Sequence, residues 1–494
     1  VNKNRNSNGG TPTDPGRRQF IAGVAAAAAG SLVLPGCGSS PGSTTATAAL
    51  PNPAGSGIDH IVVVMMENRS FDHYLGWVPG ADGVQAGVRL KDSAGNSFNS
   101  YDLAPSYQNT VLADPDHSYA GGRTEINNGK MDGFLLPQPA GDTFPIGYYT
   151  AGSLPFFKGC VDNWTICDRY FCSILAPTTP NRIYMHAGQT DRNSNTVAIS
   201  TLPTVWDRMQ AAGRSVAYYY TDVSYTSFWG SKYQGFSKKY DMASFAADIA
   251  SGTLADLTYI DNVGNTFNEG SGVSMDDHPY GDIRNGQVFL NKVYDALRQS
   301  PKWDRTLVVI NYDEWGGFYD HVAPPFAPVT KEEFAATQND GRLGCRVPCV
   351  LIGPRARRGH VEHTQFDHNS VLNMIAWRFG FAPLGARGDS NNLALALDFS
   401  RPPDLSAPVF TVPQGPFGEQ CFSPSEAAAL GIPVPPGLPA VCLPAPVAVV
   451  LPPVPGVDVP LPVQAPVPAA SAMRRDEHEQ ELDALRALGR RNGF

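Results

Sequence analysis

Four apolar runs stand out along the chain, at residues 58–66, 215–220, 306–312 and 347–352. The first is broken only by Asp59 and His60. Each run is continuous rather than alternating, as expected of a strand buried on both faces of a parallel sheet. Other stretches carry helical spacing. Residues 203–212 stop at Gly213, and residues 287–299 place Val288, Val293, Ala296 and Leu297 largely on one face before Ser300-Pro301. Residues 370–379 carry Leu372, Ile375, Ala376 and Phe379. Strands alternating with helices predict an α/β sandwich around a mainly parallel sheet. Residues 83–160 and 222–275 hold neither period and are rich in Gly, Asp, Asn and aromatic side chains, which reads as inserted loops.

The two ends differ from this middle. Arg17-Arg18-Gln19-Phe20-Ile21 precedes an uncharged, Ala-rich stretch. Its roughly 14 residues span about 21 Å as a helix, too short for a hydrocarbon core near ~30 Å. Residues 1–36 therefore read as an export signal. The paired arginines resemble a twin-arginine signal, which implies the twin-arginine export machinery and a periplasmic, surface-anchored or secreted product. Leu34-Pro35-Gly36-Cys37 resembles a lipobox, which would put a lipid anchor on Cys37. Residues 37–57 read as a flexible tether. Residues 401–469 are a Pro-rich extended segment of polyproline character laid along the domain surface. Residues 470–494 form a helix whose Leu482, Leu485 and Leu488 are spaced to dock.

Composition narrows the class of function. With 42% hydrophobic and 17% charged residues the chain is not disordered. A net charge of −9 argues against nucleic acid as a partner and against simple attraction to anionic membranes. Setting Cys37 aside leaves Cys160, Cys167, Cys172, Cys345, Cys349, Cys421 and Cys442, an odd set in which one thiol stays free.

Candidate chemistry lies where the apolar runs end, since ligands of open α/β sheets bind beyond the carboxyl ends of strands. The first run leads into Glu67-Asn68 and the third into Asp313-Glu314. Two such ends, each with two oxygen-bearing side chains, suit a hard divalent cation. Thr178 and Thr179 lie in a turn-rich segment bracketed by Pro177 and Pro180. A hydroxyl there becomes a nucleophile when a base or metal lowers its pKa.

Glu67-Asn68-Arg69-Ser70-Phe71-Asp72-His73-Tyr74 resembles the ENRSFDHY signature of the bacterial phosphoesterase family of phospholipases C and acid phosphatases. Asp114-Pro115-Asp116-His117 resembles its DPDH segment, and Asn128-Gly129-Lys130-Met131-Asp132-Gly133-Phe134 its NGKMDGF segment. Pro177-Thr178 with Pro180-Asn181-Arg182 resembles PTxPNR, and His278-Pro279, Tyr312-Asp313-Glu314, Asp320-His321-Val322 and Phe366-Asp367-His368 follow in order. The resemblance spans about residues 57–381 and makes 58–400 the catalytic domain. It implies an alkaline-phosphatase-like three-layer α/β sandwich and an exported hydrolase of phosphoric esters. The substrate would be a phosphatidylcholine-like phosphodiester, cleaved in the manner of a phospholipase C, or alternatively a broad range of phosphomonoesters.

The resemblance further implies that Glu67, Asn68, Thr178, Asp313 and Glu314 hold one divalent ion (Ca, Mg, Mn or Zn), with Thr178 as nucleophile. His117, His278, His321 and His368 would line the site and move protons, and Asn181 and Arg182 would meet substrate phosphate. Trp315, Tyr319 and the aromatic-rich stretch 218–229 are candidate faces for a quaternary ammonium headgroup. Ala176 replaces the family's usual Gly, and Tyr280 stands where many members carry a second Pro. A non-catalytic surface-binding protein is the reading from another class, and the full set of ligand and nucleophile residues argues against it. A sulfatase needs Cys or Ser where this chain has Thr178.

Overall fold

β1 (His60–Met66) is an interior strand of the main sheet, paired along both edges, and six of its seven residues are buried. Alternate side chains of a strand point to opposite faces, so burial of both sets requires cover on both sides. The eight-stranded sheet is completed by β2 (Thr165–Cys167), β3 (Val216–Tyr220), β4 (Ser237–Lys239), β5 (Leu257–Asp261), β6 (Thr306–Tyr312), β7 (Cys349–Ile352) and β8 (His360–Glu362). Their order is β8-β2-β7-β6-β1-β5-β3-β4. In this sheet β7 runs against both neighbours, and the other pairings are parallel. The fold is thus α/β with a mixed, mostly parallel sheet.

The structure, a computed structural model, describes residues 50–109, 112–262, 272, 274–415, 417–422, 441–444 and 469–494. The export signal, Cys37, most of the tether and most of the Pro-rich segment lie outside the described residues. Among the described residues, no helix is long and apolar enough to cross a membrane.

The helices are α1 (Phe71–Leu75), α2 (Tyr119–Ile126), α3 (Pro155–Asn163), α4 (Thr178–Ala187), α5 (Val205–Ala211), α6 (Met242–Ala250), α7 (Ile283–Arg298), α8 (Lys331–Thr337), α9 (His368–Phe379) and α10 (Ala469–Arg491). α4 packs against α5 and α9, while α7 packs against α3 and α6. Their starts follow local chemistry. Thr204 and Asp207 form a reciprocal capping box on α5, and Asp367 and Ser370 do so on α9. Asp282 caps α7 a few residues before the apolar period begins, because a cap, not an apolar residue, starts a helix.

The stretches read as loops hold regular elements, among them α2, β4, β5 and α6, and β5 pairs with β1. The segment read as turn-rich becomes helical at Thr178. Residues 404–417, from the Pro-rich segment, are tied to the domain at several points. The Asp404 amide donates to the Pro354 carbonyl, the Tyr294 hydroxyl donates to the Pro408 carbonyl at 2.7 Å, and Phe410 stacks on Tyr294. Cys160, Cys167, Cys172, Cys345 and Cys349 are buried free thiols, and the backbone register sets Cys421 opposite Cys442.

Candidate active site

β1 and β6 are adjacent parallel strands whose last residues, Met66 and Tyr312, are register partners. The residues that follow, Glu67-Asn68 and Asp313-Glu314, therefore leave the sheet side by side at its carboxyl edge. Asn68 takes a left-handed backbone with φ of 61°, a conformation its short polar side chain tolerates. Asp313 Oδ1 joins the two turns by accepting from the Asn68 amide at 3.1 Å and the Glu314 amide at 2.7 Å. Gly316, also left-handed, lies so close that a Cβ would stand 2.4 Å from the Asn68 carbonyl oxygen. A side chain there would push the two turns apart.

Thr178 enters from a third direction, as the first residue of α4. Its Oγ1 lies 3.3 Å from Glu67 Oε1 and 3.5 Å from Asn68 Oδ1. Helix starts present amides with no partner inside the helix, and these attract anions. His117 adds an imidazole, with Nε2 3.3 Å from Asn68 Nδ2 and 3.7 Å from Glu314 Oε1. His278 stands next to it, Nε2 3.9 Å from Asp114 Oδ2. Each ring places Nδ1 on a backbone carbonyl, that of Pro115 for His117 and that of Pro279 for His278. That contact turns each Nε2 toward the site. Asp114, His117 and His278 bring ligand atoms within 4.8 Å of one another. In the sequence Asp114 stands out only as part of a motif, and its closeness to two imidazoles is not visible there.

The electrostatics favour a cation. Burial pushes the Glu314 carboxyl upward, His117 opposing this and Asp313 adding to it. Burial lowers His117, but the Glu314 and Asp114 carboxylates outweigh it and raise the imidazole to about 9. Glu314 Oε1 is buried without a hydrogen-bond partner. Three buried carboxylates, Glu67, Asp313 and Glu314, converge here, and the Arg182 guanidinium balances part of their charge. A buried carboxylate oxygen without a hydrogen-bond partner fits a divalent ion, and among the described residues Asp114, His117 and His278 are the group here whose ligand atoms lie within 4.8 Å of one another.

Five of the sequence candidates take other places. Arg182 is fully buried: Nε binds Asp313 Oδ2 at 3.1 Å, Nη2 donates to the Met66 carbonyl at 3.3 Å, and Nη1 binds Asp261. It holds carboxylates together rather than facing substrate. Asn181 spends its side chain on the loop before Thr178, accepting from Ile174 N and donating to the Ile174, Ala176 and Pro177 carbonyls. His368 is buried with Nε2 3.1 Å from the Tyr312 carbonyl, and burial lowers it to about 3, so it stays neutral. His321 pairs Nδ1 with Asp72 Oδ2 at 2.6 Å and Nε2 with Asp82 Oδ1 at 3.1 Å. Asp72, Asp320 and His321 also cluster as metal ligands would. Arg346, however, lies among them, 2.9 Å from Asp320 and 3.0 Å from Asp72, and supplies the balancing charge. Trp315 is buried with its indole on Glu125, so it offers no face to a headgroup.

Comparison with known proteins agrees with the motifs. The profile of the Phosphoesterase family matches residues 58–382. Phospholipase C B of Mycobacterium tuberculosis is 29% identical, covering 81% of this chain and 88% of that protein. Non-specific phospholipase C4 of Arabidopsis thaliana is 31% identical, covering 67% and 70%. Among solved structures, a protein in the alkaline phosphatase superfamily from Vibrio parahaemolyticus matches 60% of this chain and 75% of that one, at 10% identity and a TM-score of 0.32.

Proposed function

Because this chain belongs to the phosphoesterase family and is a hydrolase of that family, we propose that it cleaves phosphodiesters of the phosphatidylcholine type, as a phospholipase C does, with Thr178 as nucleophile. The observation that carries the reading is the position of the Thr178 hydroxyl, at a helix start and within 3.5 Å of both Glu67 and Asn68.

In this mechanism the phosphoryl group docks between the Thr178 hydroxyl and the two imidazoles. Glu67 orients the Thr178 hydroxyl toward phosphorus and accepts its proton. The Thr178 oxygen–phosphorus bond forms as the ester bond to the leaving alcohol breaks. A protonated His117 or His278 gives its Nε2 proton to the departing alkoxide. Water, deprotonated by the same imidazole, then attacks phosphorus as the bond to the Thr178 oxygen breaks, and Glu67 returns its proton to that oxygen. A divalent ion held by Glu67, Asn68, Asp313 and Glu314 supplies charge stabilisation for the phosphoryl oxygens when bound.

A phosphomonoester carries a further negative charge, and the Nε2 atoms of His117 and His278, both turned toward the site, stand ready to donate hydrogen bonds to it. That feature favours an acid phosphatase as the second reading. Purified protein tested in parallel on p-nitrophenyl phosphate, p-nitrophenyl-phosphorylcholine and phosphatidylcholine separates the two. Hydrolysis of both choline diesters supports the phospholipase C reading. Monoesterase activity without any diesterase activity between about pH 5 and 8 replaces it with the phosphatase.

A further inference from the structure

α4 begins without a local cap, because Pro177 occupies the N-cap position and has no side-chain group to accept from the helix. Pro180 lacks an amide hydrogen, so the exposed donors of the first turn are few. One of them, the Thr179 amide, is taken by Asn195, whose Oδ1 accepts from it at 2.8 Å. Asn195 thus does from the following loop what Ser or Asp ordinarily does from the N-cap.

The Asn195 amide is itself oriented from far away. Its Nδ2 donates to Glu481 Oε2 at 2.7 Å, and Glu481 lies on α10. An ionised carboxylate only accepts hydrogen bonds. It therefore holds the NH₂ end of Asn195 toward α10 and the oxygen end toward Thr179. With the amide flipped, two N–H groups would face each other. α10 is fixed for this task by buried Leu482, Leu485 and Leu488. Arg486 bonds Asp222 at 2.8 Å, and Asn492 donates to the Ser227 carbonyl at 3.2 Å. The surface it covers includes the Tyr225–Trp229 turn. Tyr225 lies in cation–π contact with Arg182, 5.0 Å from its ring centroid.

We propose that Asn195 and Glu481 are positioning residues for Thr178, and that α10 is thereby part of the catalytic apparatus rather than a surface appendage. The inference rests on the reading of Thr178 as nucleophile. The chain of contacts sets the pitch of the first turn of α4, and with it the direction of the hydroxyl one residue before Thr179.

A polarity swap tests this. Glu481→Gln permits the flipped amide, and Asn195→Asp sets two carboxylates against each other. Each is expected to lower kcat about tenfold with little change in KM, since misplacement of a reacting group acts on the chemical step. In the Asn195→Asp/Glu481→Gln double variant the polarity of the pair is reversed. The amide introduced at position 481 donates to the carboxylate introduced at position 195, which still accepts from the Thr179 amide. kcat should return to within about threefold of the parent. A merely structural contact would show as lowered thermal stability without this rescue. Unchanged kcat in Glu481→Gln, or a double variant no better than the worse single one, overturns the proposal. If the parent protein cleaves no phosphoric ester, the functional reading fails separately, and hydrogen exchange decides the inference. Peptides covering residues 174–187 should exchange faster in Glu481→Gln than in the parent, and equal exchange overturns it.

Discussion

Thr178→Ala takes away the hydroxyl that faces Glu67 and Asn68 and leaves a small side chain at a helix start. Turnover should fall by about 10³-fold or more, with the melting temperature nearly unchanged. Thr179→Ala should keep most activity, because Thr179 contributes its amide to Asn195. The opposite ranking of the two variants would move the nucleophile by one residue. Arg182 makes a different prediction. Removing one partner of a buried ion pair costs about 3–5 kcal/mol, and here the guanidinium meets Asp261, Asp313 and Glu67. Arg182→Met should therefore show as lost stability in urea unfolding. A normally stable variant with only a raised KM would return Arg182 to the phosphate. The contrast explains what could be read from the chain. Glu67-Asn68 and Asp313-Glu314 are contiguous pairs and carry a recognisable pattern. The partners of Arg182 lie 79 and 131 positions away, so nothing local reveals that its donors are already engaged. The same holds for His321, whose partners come from residues 72 and 82.

At the scale of elements, strands within unbroken apolar runs were legible (β1, β3, β6 and β7), and β2, β4, β5 and β8 were not. β5 carries Thr258 and ends in Asp261, so polar side chains interrupt its apolar pattern and it merges with the polar loops around it. Its place beside β1 is a tertiary fact. α4 was hidden by Pro177 just before it and Pro180 in its first turn, which are compatible with a helix start but equally with a rigid loop. One clamp between elements gives a pH prediction. Asp59, just before β1, bonds Arg305 ahead of β6 and Arg378 in the last turn of α9. The Arg305 contact, assisted by Arg378 and opposed by burial, lowers its carboxyl from 3.8 to about 2. A depressed folded-state value adds stability above the unfolded value and loses it as pH falls through the folded one. The stability difference between the parent and Asp59→Asn should be constant above about pH 5 and shrink between about pH 4 and 2. A difference that does not change with pH would exclude the ion pair as its source.

For the whole molecule, the clustered carboxylates predict dependence on a metal. Protein purified without chelator should contain about one divalent ion per chain by elemental analysis, and Glu67→Gln should contain less. At a free-ion concentration of about a hundred times Kd, binding adds about 2.7 kcal/mol to stability, so a chelator should lower the melting temperature. A fully active, metal-free preparation would remove the ion from the mechanism while leaving Thr178 in place.

The central position of β1 also has a consequence for how the chain is made. Its sequence, His-Ile-Val-Val-Val-Met-Met, emerges from the ribosome early, whereas its register partners Leu257 and Thr306 come roughly two hundred residues or more later. At about 5–20 residues per second, that is a wait of roughly 10–50 seconds. During it, an uncharged, β-prone segment has neither edge paired, the condition under which such segments aggregate. Slowing translation ahead of the Leu257 codon should therefore lower the soluble yield, and co-expressed chaperones that bind apolar strands should restore it.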